Sequence, residues 1–116
     1  GASGGGDTEA WFQNVDNYDG EVDRRGRERV TVAVGADDGF AFAPAAIRVD
    51  TGTTVVWEWT GKGGRHNVVA RDGSFASPYH SDAGATFEVP VSGTVTIRYL
   101  CEPRQSMGMK GSLRVV

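Results

Sequence analysis

The sequence contains little sulfur and little histidine. Its 116 residues include one cysteine, two methionines and two histidines. A single cysteine excludes a disulfide within the chain, so the thiol is structural, reactive or a metal ligand. No apolar run approaches the roughly 20 residues that a membrane-spanning helix needs. The net charge of −3 does not favour nucleic acid as a partner.

The two ends of the chain differ in composition. The first six residues are Gly-Ala-Ser-Gly-Gly-Gly, a composition typical of flexible linkers. We predict that residues 1–8 form a flexible N-terminal tether. Residues 9–116 are long enough to bury a core and are predicted to form one domain.

Most of the predicted domain reads as short strands. In the strongest one, 53–60, Val55, Trp57 and Trp59 share one face. The other predicted strands are 29–34, 40–44, 46–49, 66–70, 86–89, 94–100 and 112–116. Pro44 indicates an edge strand or a crossover. Seven to eight strands separated by turns predict an all-β antiparallel sandwich or barrel, preceded by a short helical turn at residues 9–18.

All the sulfur lies in one stretch, residues 99–111. Cys101 leaves a predicted strand, and Met109 lies in a Gly-Met-Lys-Gly frame that permits a tight backbone path. Taken singly, each is more often a core residue than a ligand. Together they place a thiolate and a thioether, both soft donors, where one copper ion could reach them. Met107 competes with Met109 for the second role.

The two histidines are the candidate nitrogen donors. His66 begins a predicted strand after a glycine-rich loop, so we expect it to be exposed at one end of a sandwich. Asn67 beside it is placed to supply a supporting hydrogen bond. His80 is expected to be an exposed loop residue and is a second candidate ligand.

Several motifs, in order, carry a family resemblance. They are Trp11-Phe12 with 17–20, the run 49–59, His66-Asn67-Val68-Val69, residues 83–87 and the loop 99–111. The chain resembles cupredoxins, specifically the halocyanin branch of the plastocyanin-like blue copper proteins. The resemblance implies a Greek-key β-sandwich with one type 1 copper that transfers single electrons and is not an enzyme.

The same resemblance implies a biological setting. The partners would be redox proteins of an electron-transport chain, with no nucleic acid and no small-molecule substrate, and the protein would be a monomer. The location would be extracytoplasmic, often in salt-loving archaea, with an N-terminal lipid anchor holding the protein to the outer face of the membrane.

The resemblance also implies the ligands. His66 matches the first imidazole, Cys101 the thiolate and Met109 the axial thioether. The second imidazole of the family falls on Arg104, and a guanidinium stays protonated and has no lone pair for a metal. Copper could bind through the three remaining donors, with water, an anion or His80 completing the site. The site could instead be empty, with Arg104 paired with the thiolate or Glu102.

Two alternatives to an electron carrier follow from Arg104. The first is a metal-free cupredoxin-fold module that acts in binding. The second is a reactive thiol, because a nearby cation can lower the pKa of Cys101. Hydrolytic catalysis has no support, since neither histidine has a neighbouring nucleophile in the sequence.

Overall fold

A computed structural model describes residues 10–116, and the predicted tether at 1–8 lies outside them. After a short turn at 10–14, the elements in chain order are β1 (Val22–Asp23), β2 (Arg29–Ala36), β3 (Ala41–Ala43), β4 (Ala46–Val49), β5 (Thr54–Trp59), β6 (Val69–Ala70), β7 (Thr86–Pro90), β8 (Val95–Leu100), a 3₁₀ helix (Glu102–Met107) and β9 (Lys110–Val115). Among these residues no helix is long and apolar enough to cross a membrane.

The strands form two sheets that enclose one core. The first sheet has the order β1-β4-β9-β8-β6 and the second the order β3-β2-β5-β7. Alternation explains which side chains face inward: in β2 the buried residues are Val30, Val32 and Val34, and in β8 they are Ile97 and Tyr99. The predicted β-sandwich is therefore confirmed.

The prediction that the sandwich is antiparallel was wrong. β2 pairs in parallel with β5, and β4 pairs in parallel with both β1 and β9. The other pairs, including β8 with β9, are antiparallel. Parallel neighbours must be joined by long crossovers, and such crossovers leave no local signal in the sequence.

The structure shortens one predicted strand and confirms the edge position of another. The strand expected at 66–70 is reduced to β6, and His66 forms only an isolated antiparallel bridge with His80. Between His66 and β6, the Val68 N–H donates to the Ser77 hydroxyl and not to a neighbouring strand. β3, which Pro44 follows, is an edge strand as predicted.

The N-terminal turn covers one end of the first sheet. Phe12 is buried and stacks on Tyr18, with ring centroids 3.9 Å apart. The half-buried Trp11 donates from its indole N–H to the Gly111 carbonyl oxygen over 2.9 Å. Trp11 thus anchors the turn to β9, just beyond the loop that carries Met109.

Candidate metal centre

His66 is buried, although the sequence predicted it to be exposed. Its backbone is fixed on both sides, since its N–H donates to the His80 carbonyl over 2.9 Å and its own carbonyl accepts from the Trp59 indole over 3.0 Å. The ring atom Nε2 lies 2.9 Å from the Lys62 carbonyl oxygen. A carbonyl can only accept, so Nε2 carries the proton and Nδ1 keeps a free lone pair.

That lone pair faces sulfur. The distance from His66 Nδ1 to Cys101 Sγ is 3.6 Å, and both residues are fully buried. His66 and Cys101 are 35 residues apart in the sequence, so only the fold brings them together. The end of β8 and the bridge at His66 therefore bring together two of the three predicted ligands.

Asn67 fastens the two segments to each other. Its Nδ2 donates to Glu102 Oε1 over 2.8 Å, and its Oδ1 accepts from the Glu102 N–H over 2.9 Å. Glu102 follows Cys101 and Asn67 follows His66, so the pair of hydrogen bonds fixes the spacing of their neighbours. The predicted supporting role of Asn67 thus has a structural basis, but the hydrogen bonds run to Glu102 and not to the imidazole.

Met109 returns to Cys101 through a tight turn. The 3₁₀ helix ends at Gly108, whose φ of 89° lies in the left-handed region that favours glycine. The Cys101 N–H then donates to the Met109 carbonyl oxygen over 3.1 Å. Met109 is fully buried in the core cluster that also contains Cys101, whereas Met107 is 51% exposed. Burial therefore favours Met109 over Met107 as the sulfur donor.

Arg104 lies beside these donors in the 3₁₀ helix. Its N–H donates to the Cys101 carbonyl and its carbonyl accepts from Met109 N–H. The guanidinium carbon lies 5.1 Å from the centroid of the Phe40 ring, which in turn meets His66 edge to face at 6.2 Å. The side chain of Arg104 thus extends toward the His66 end of the centre.

Glu102 is not the partner of Arg104, contrary to one of the sequence-based alternatives. No ion pair to Arg104 occurs among residues 10–116, and the Nε atom is buried without a hydrogen-bond partner there. The Glu102 carboxylate accepts from Asn67 instead. Arg104 is therefore a cation without a fixed counter-ion in the described part of the chain.

The thiol is not activated, so the reactive-thiol alternative is corrected. Burial raises the pKa of Cys101 and outweighs the backbone N–H groups of Asn67 and Arg104 and the charge of Arg104, which act to lower the pKa. A fully buried thiol with a raised pKa is inert toward most reagents. The ring of His80 is not part of the candidate centre either, because it packs edge to face against Trp59, with ring centroids 4.9 Å apart.

The distance between His66 Nδ1 and Cys101 Sγ and the kinds of donor atom both suit a first-row transition metal. Bonds of about 2.0–2.1 Å to nitrogen and about 2.3 Å to sulfur, as on zinc, place the two atoms about 3.5–3.8 Å apart for angles between tetrahedral and trigonal. The 3.6 Å between Nδ1 and Sγ lies in this range. In residues 10–116 no group of three or more His, Cys, Asp and Glu side chains could hold a metal. The buried Met109 thioether is the candidate for a third donor. Imidazole, thiolate and thioether together favour copper.

Comparison with known proteins defines the class. A family model described as copper binding proteins, plastocyanin/azurin family, matches residues 29–116. The chain belongs to this family of blue copper proteins, which are electron carriers and not enzymes. The predictions of a cupredoxin fold and of copper as the cofactor are confirmed.

Within the family, the chain is similar to halocyanin from Natronomonas pharaonis, at 48% identity over 84% of this chain, and it spans 63% of the length of that protein. Plastocyanin from Scenedesmus fuscus is 32% identical over 74% of this chain and 98% of its own. The solved structure of oxidized plastocyanin from Dryopteris crassirhizoma has a TM-score of 0.63 at 28% identity and covers 75% of this chain and 100% of its own. The predicted resemblance to halocyanin is confirmed.

Proposed function

We propose that this protein carries single electrons outside the cytoplasm, using one copper ion held by His66, Cys101 and Met109. The observation that carries the proposal is the 3.6 Å approach of His66 Nδ1 to Cys101 Sγ, with the lone pair of Nδ1 directed at the thiol, whose proton copper would displace. When bound, copper supplies a one-electron Cu(II)/Cu(I) couple. The second imidazole of the family is replaced by Arg104, so the protein contributes three donors and a cation.

The role of the protein is to hold these donors still. His66 is fixed by four hydrogen bonds, three at its backbone and one from Nε2. Cys101 and Met109 are fixed by their mutual backbone bond, and Asn67 connects the two segments. Ligands that cannot move cost little to reorganise when the charge of the site changes, which favours fast electron transfer.

Partners are expected to dock on the 3₁₀ helix. Pro103 and Met107 are exposed on it, in the loop that runs from the buried Cys101 to the buried Met109. An exposed apolar surface near a redox centre suits transient contact with redox partner proteins. Residues 1–8 act as the tether to a lipid anchor on the outer face of the membrane, and residues 9–116 are the electron-carrying domain.

The test is reconstitution with Cu(I) under anaerobic conditions, followed by oxidation with ferricyanide, because direct addition of Cu(II) can oxidise the thiol. We expect one equivalent of copper, an intense thiolate-to-copper absorption band and reversible one-electron redox. Cys101→Ser should abolish the band. Met109→Leu should shift the band and the potential, whereas the matched variant Met107→Leu should leave both unchanged.

The second candidate is a metal-free cupredoxin module, favoured by the guanidinium of Arg104. The two candidates differ in thermal unfolding. A ligand at about 100 times its Kd stabilises the native state by about 2.7 kcal/mol. Copper should therefore raise the melting temperature of the wild type by several degrees but not that of Cys101→Ser. Equal melting temperatures with and without copper, and equal copper uptake by both proteins, would establish the metal-free module instead.

A further inference from the structure

We propose that Arg104 makes this copper centre a binding site for a small anion, of the class of halides and short carboxylates. The anion would bind beside Arg104, the residue that stands where the family has its second imidazole in the chain. The inference rests on the proposed function, because it requires copper at His66, Cys101 and Met109.

The centre is open on one side. The protein offers one nitrogen and two sulfur donors, one fewer strong donor than the two imidazoles and one thiolate of a blue copper site. His80 does not fill the gap, since its ring packs against Trp59. Arg104 takes the place of the missing ligand in the chain, and a guanidinium cannot bind a metal. A fourth donor therefore has to come from solution.

The guanidinium is available to hold that donor. Its Nε is buried without a hydrogen-bond partner among residues 10–116, a state that costs free energy unless a partner is supplied. The nearest carboxylate in the loop, Glu102, is held by Asn67. The other face of the guanidinium lies over Phe40, so that Arg104 is positioned without being neutralised.

The space beside the guanidinium is kept free by glycine. A Cβ at Gly64 would lie 3.7 Å from Arg104 Nη2 and, apart from its neighbours in the chain, within 4 Å of nothing else. A side chain at Gly64 would therefore stand beside the guanidinium, and the glycine leaves this side of Arg104 open to a small ligand.

Charge decides the chemical class of the ligand. A copper ion of +1 or +2, one thiolate, one guanidinium and the Glu102 carboxylate, which acts electrostatically on Cys101, sum to 0 in the reduced state and to +1 in the oxidised state. A water molecule leaves the charge of the oxidised state uncompensated in a mostly buried site, whereas an anion reduces it and accepts hydrogen bonds from the guanidinium. We therefore expect chloride or a short carboxylate such as acetate to bind in preference to water.

Anion binding would also set the redox potential. The oxidised centre carries one more positive charge, so it should bind the anion more tightly than the reduced centre does. By linkage, the potential then falls as the anion concentration rises between the two dissociation constants. A tenfold difference in affinity between the two states corresponds to a fall of about 59 mV for a one-electron couple.

The experiment titrates the oxidised, copper-loaded protein with sodium chloride or, separately, sodium acetate, with sodium perchlorate holding the ionic strength constant. The readouts are the visible absorption spectrum and the potential. In the wild type we expect a saturable spectral change with at least one of the two anions. The difference between the two titrations shows whether a halide or a carboxylate is preferred.

Three variants connect the response to Arg104. Arg104→Gln should weaken anion binding by at least about tenfold, since hydrogen bonds to charged groups contribute about 1.5–3 kcal/mol. Arg104→His should remove the saturable response, because an imidazole fills the open side. Arg65→Gln is the matched control, because it removes one positive charge from the residue next to His66 in the chain. The guanidinium of Arg65 stacks on Tyr79, 4.3 Å from the ring centroid, so this variant should leave anion binding unchanged.

The outcomes separate the inference from the proposed function. The anion site is refuted, and the electron carrier stands, if the wild type binds copper but shows no saturable response to either anion. The same conclusion follows if Arg104→Gln binds the anion as tightly as the wild type. If the wild type retains no copper at any anion concentration, both fail, and copper uptake by Arg104→His would show that the arginine is the cause. Copper retention that improves with chloride or acetate supports the anion site.

Discussion

The hydrogen-bond pair between Asn67 and Glu102 gives the sharpest test of how this centre is held together. In Asn67→Ala two hydrogen bonds are lost, one of 2.8 Å to a carboxylate and one of 2.9 Å from a backbone N–H. A bond to a charged group contributes about 1.5–3 kcal/mol and a neutral one about 1 kcal/mol, so the free energy of unfolding should fall by about 2–4 kcal/mol. Glu102 is exposed, so water can hydrate its carboxylate, and the loss should lie toward the lower end of this range.

The assay is urea unfolding of the metal-free protein, with copper affinity measured in parallel. Residues that support metal ligands typically change affinity by about 10–100-fold when removed, and we expect a loss of that size here. Asn17→Ala is the matched control, because Asn17 makes one side-chain bond, of 2.7 Å to the Phe42 carbonyl, and none to the sulfur loop. It should cost about 1 kcal/mol and leave copper affinity unchanged.

A further variant divides the contribution between the two bonds. Glu102→Ala removes the carboxylate but leaves the backbone N–H that donates to Asn67, so its loss of stability should be smaller than that of Asn67→Ala. The reasoning would be refuted if Asn67→Ala and Asn17→Ala lost the same stability and bound copper equally well.

Three other predictions concern single positions. Gly108→Ala should destabilise by about 1–3 kcal/mol more than Gly84→Ala in urea unfolding, since both glycines have φ near +89° but only at Gly108 would a Cβ overlap a backbone carbonyl, that of Asn14. Burial raises and hydrogen bonds from two arginines lower the pKa of Glu21, with a net downward direction. Its contribution to stability is therefore present above the unfolded pKa of about 4.3 and is lost as the pH falls through the lower folded value, so Glu21→Gln should flatten the acid limb of a stability–pH profile. Tyr99→Phe should change the melting temperature little, because the buried Tyr99 hydroxyl interacts only weakly with the Trp57 side chain and has no partner within hydrogen-bond distance in the described region; a clear fall would show a full hydrogen bond to Trp57.

Local pattern predicted the strands whose side chains alternate between core and solvent. β5 and β8 were placed to within a residue or two at each end, because Val55, Trp57 and Trp59 on one strand and Ile97 and Tyr99 on the other must all point inward. Pairing between distant strands has no such signal. The parallel register of β2 with β5 depends on contacts across the whole sandwich, and so the sequence suggested an antiparallel arrangement instead.

The centre itself was predicted from family resemblance and not from spacing. Nothing local indicates that His66 and Cys101 meet, or that His66 is buried by a bridge to His80. The 3₁₀ helix was also missed, because its proline and polar residues are typical of loops. A signal for the Asn67 bonds did exist, in the position of an amide beside a predicted ligand, but its partner Glu102 became apparent only in three dimensions.

The pairing of Leu100 with Lys110 closes the sulfur-bearing loop at its base. Residues 101–109 therefore form one loop between two paired strands, and we expect changes at its exposed positions to leave β8 and β9 in register. Evolution can vary the chemistry of the metal through this one loop, and under the proposed function Arg104 is such a change. His66 has no comparable freedom, because its backbone is fixed between Trp59 and His80, so variation in this lineage is expected to accumulate on the sulfur side of the site.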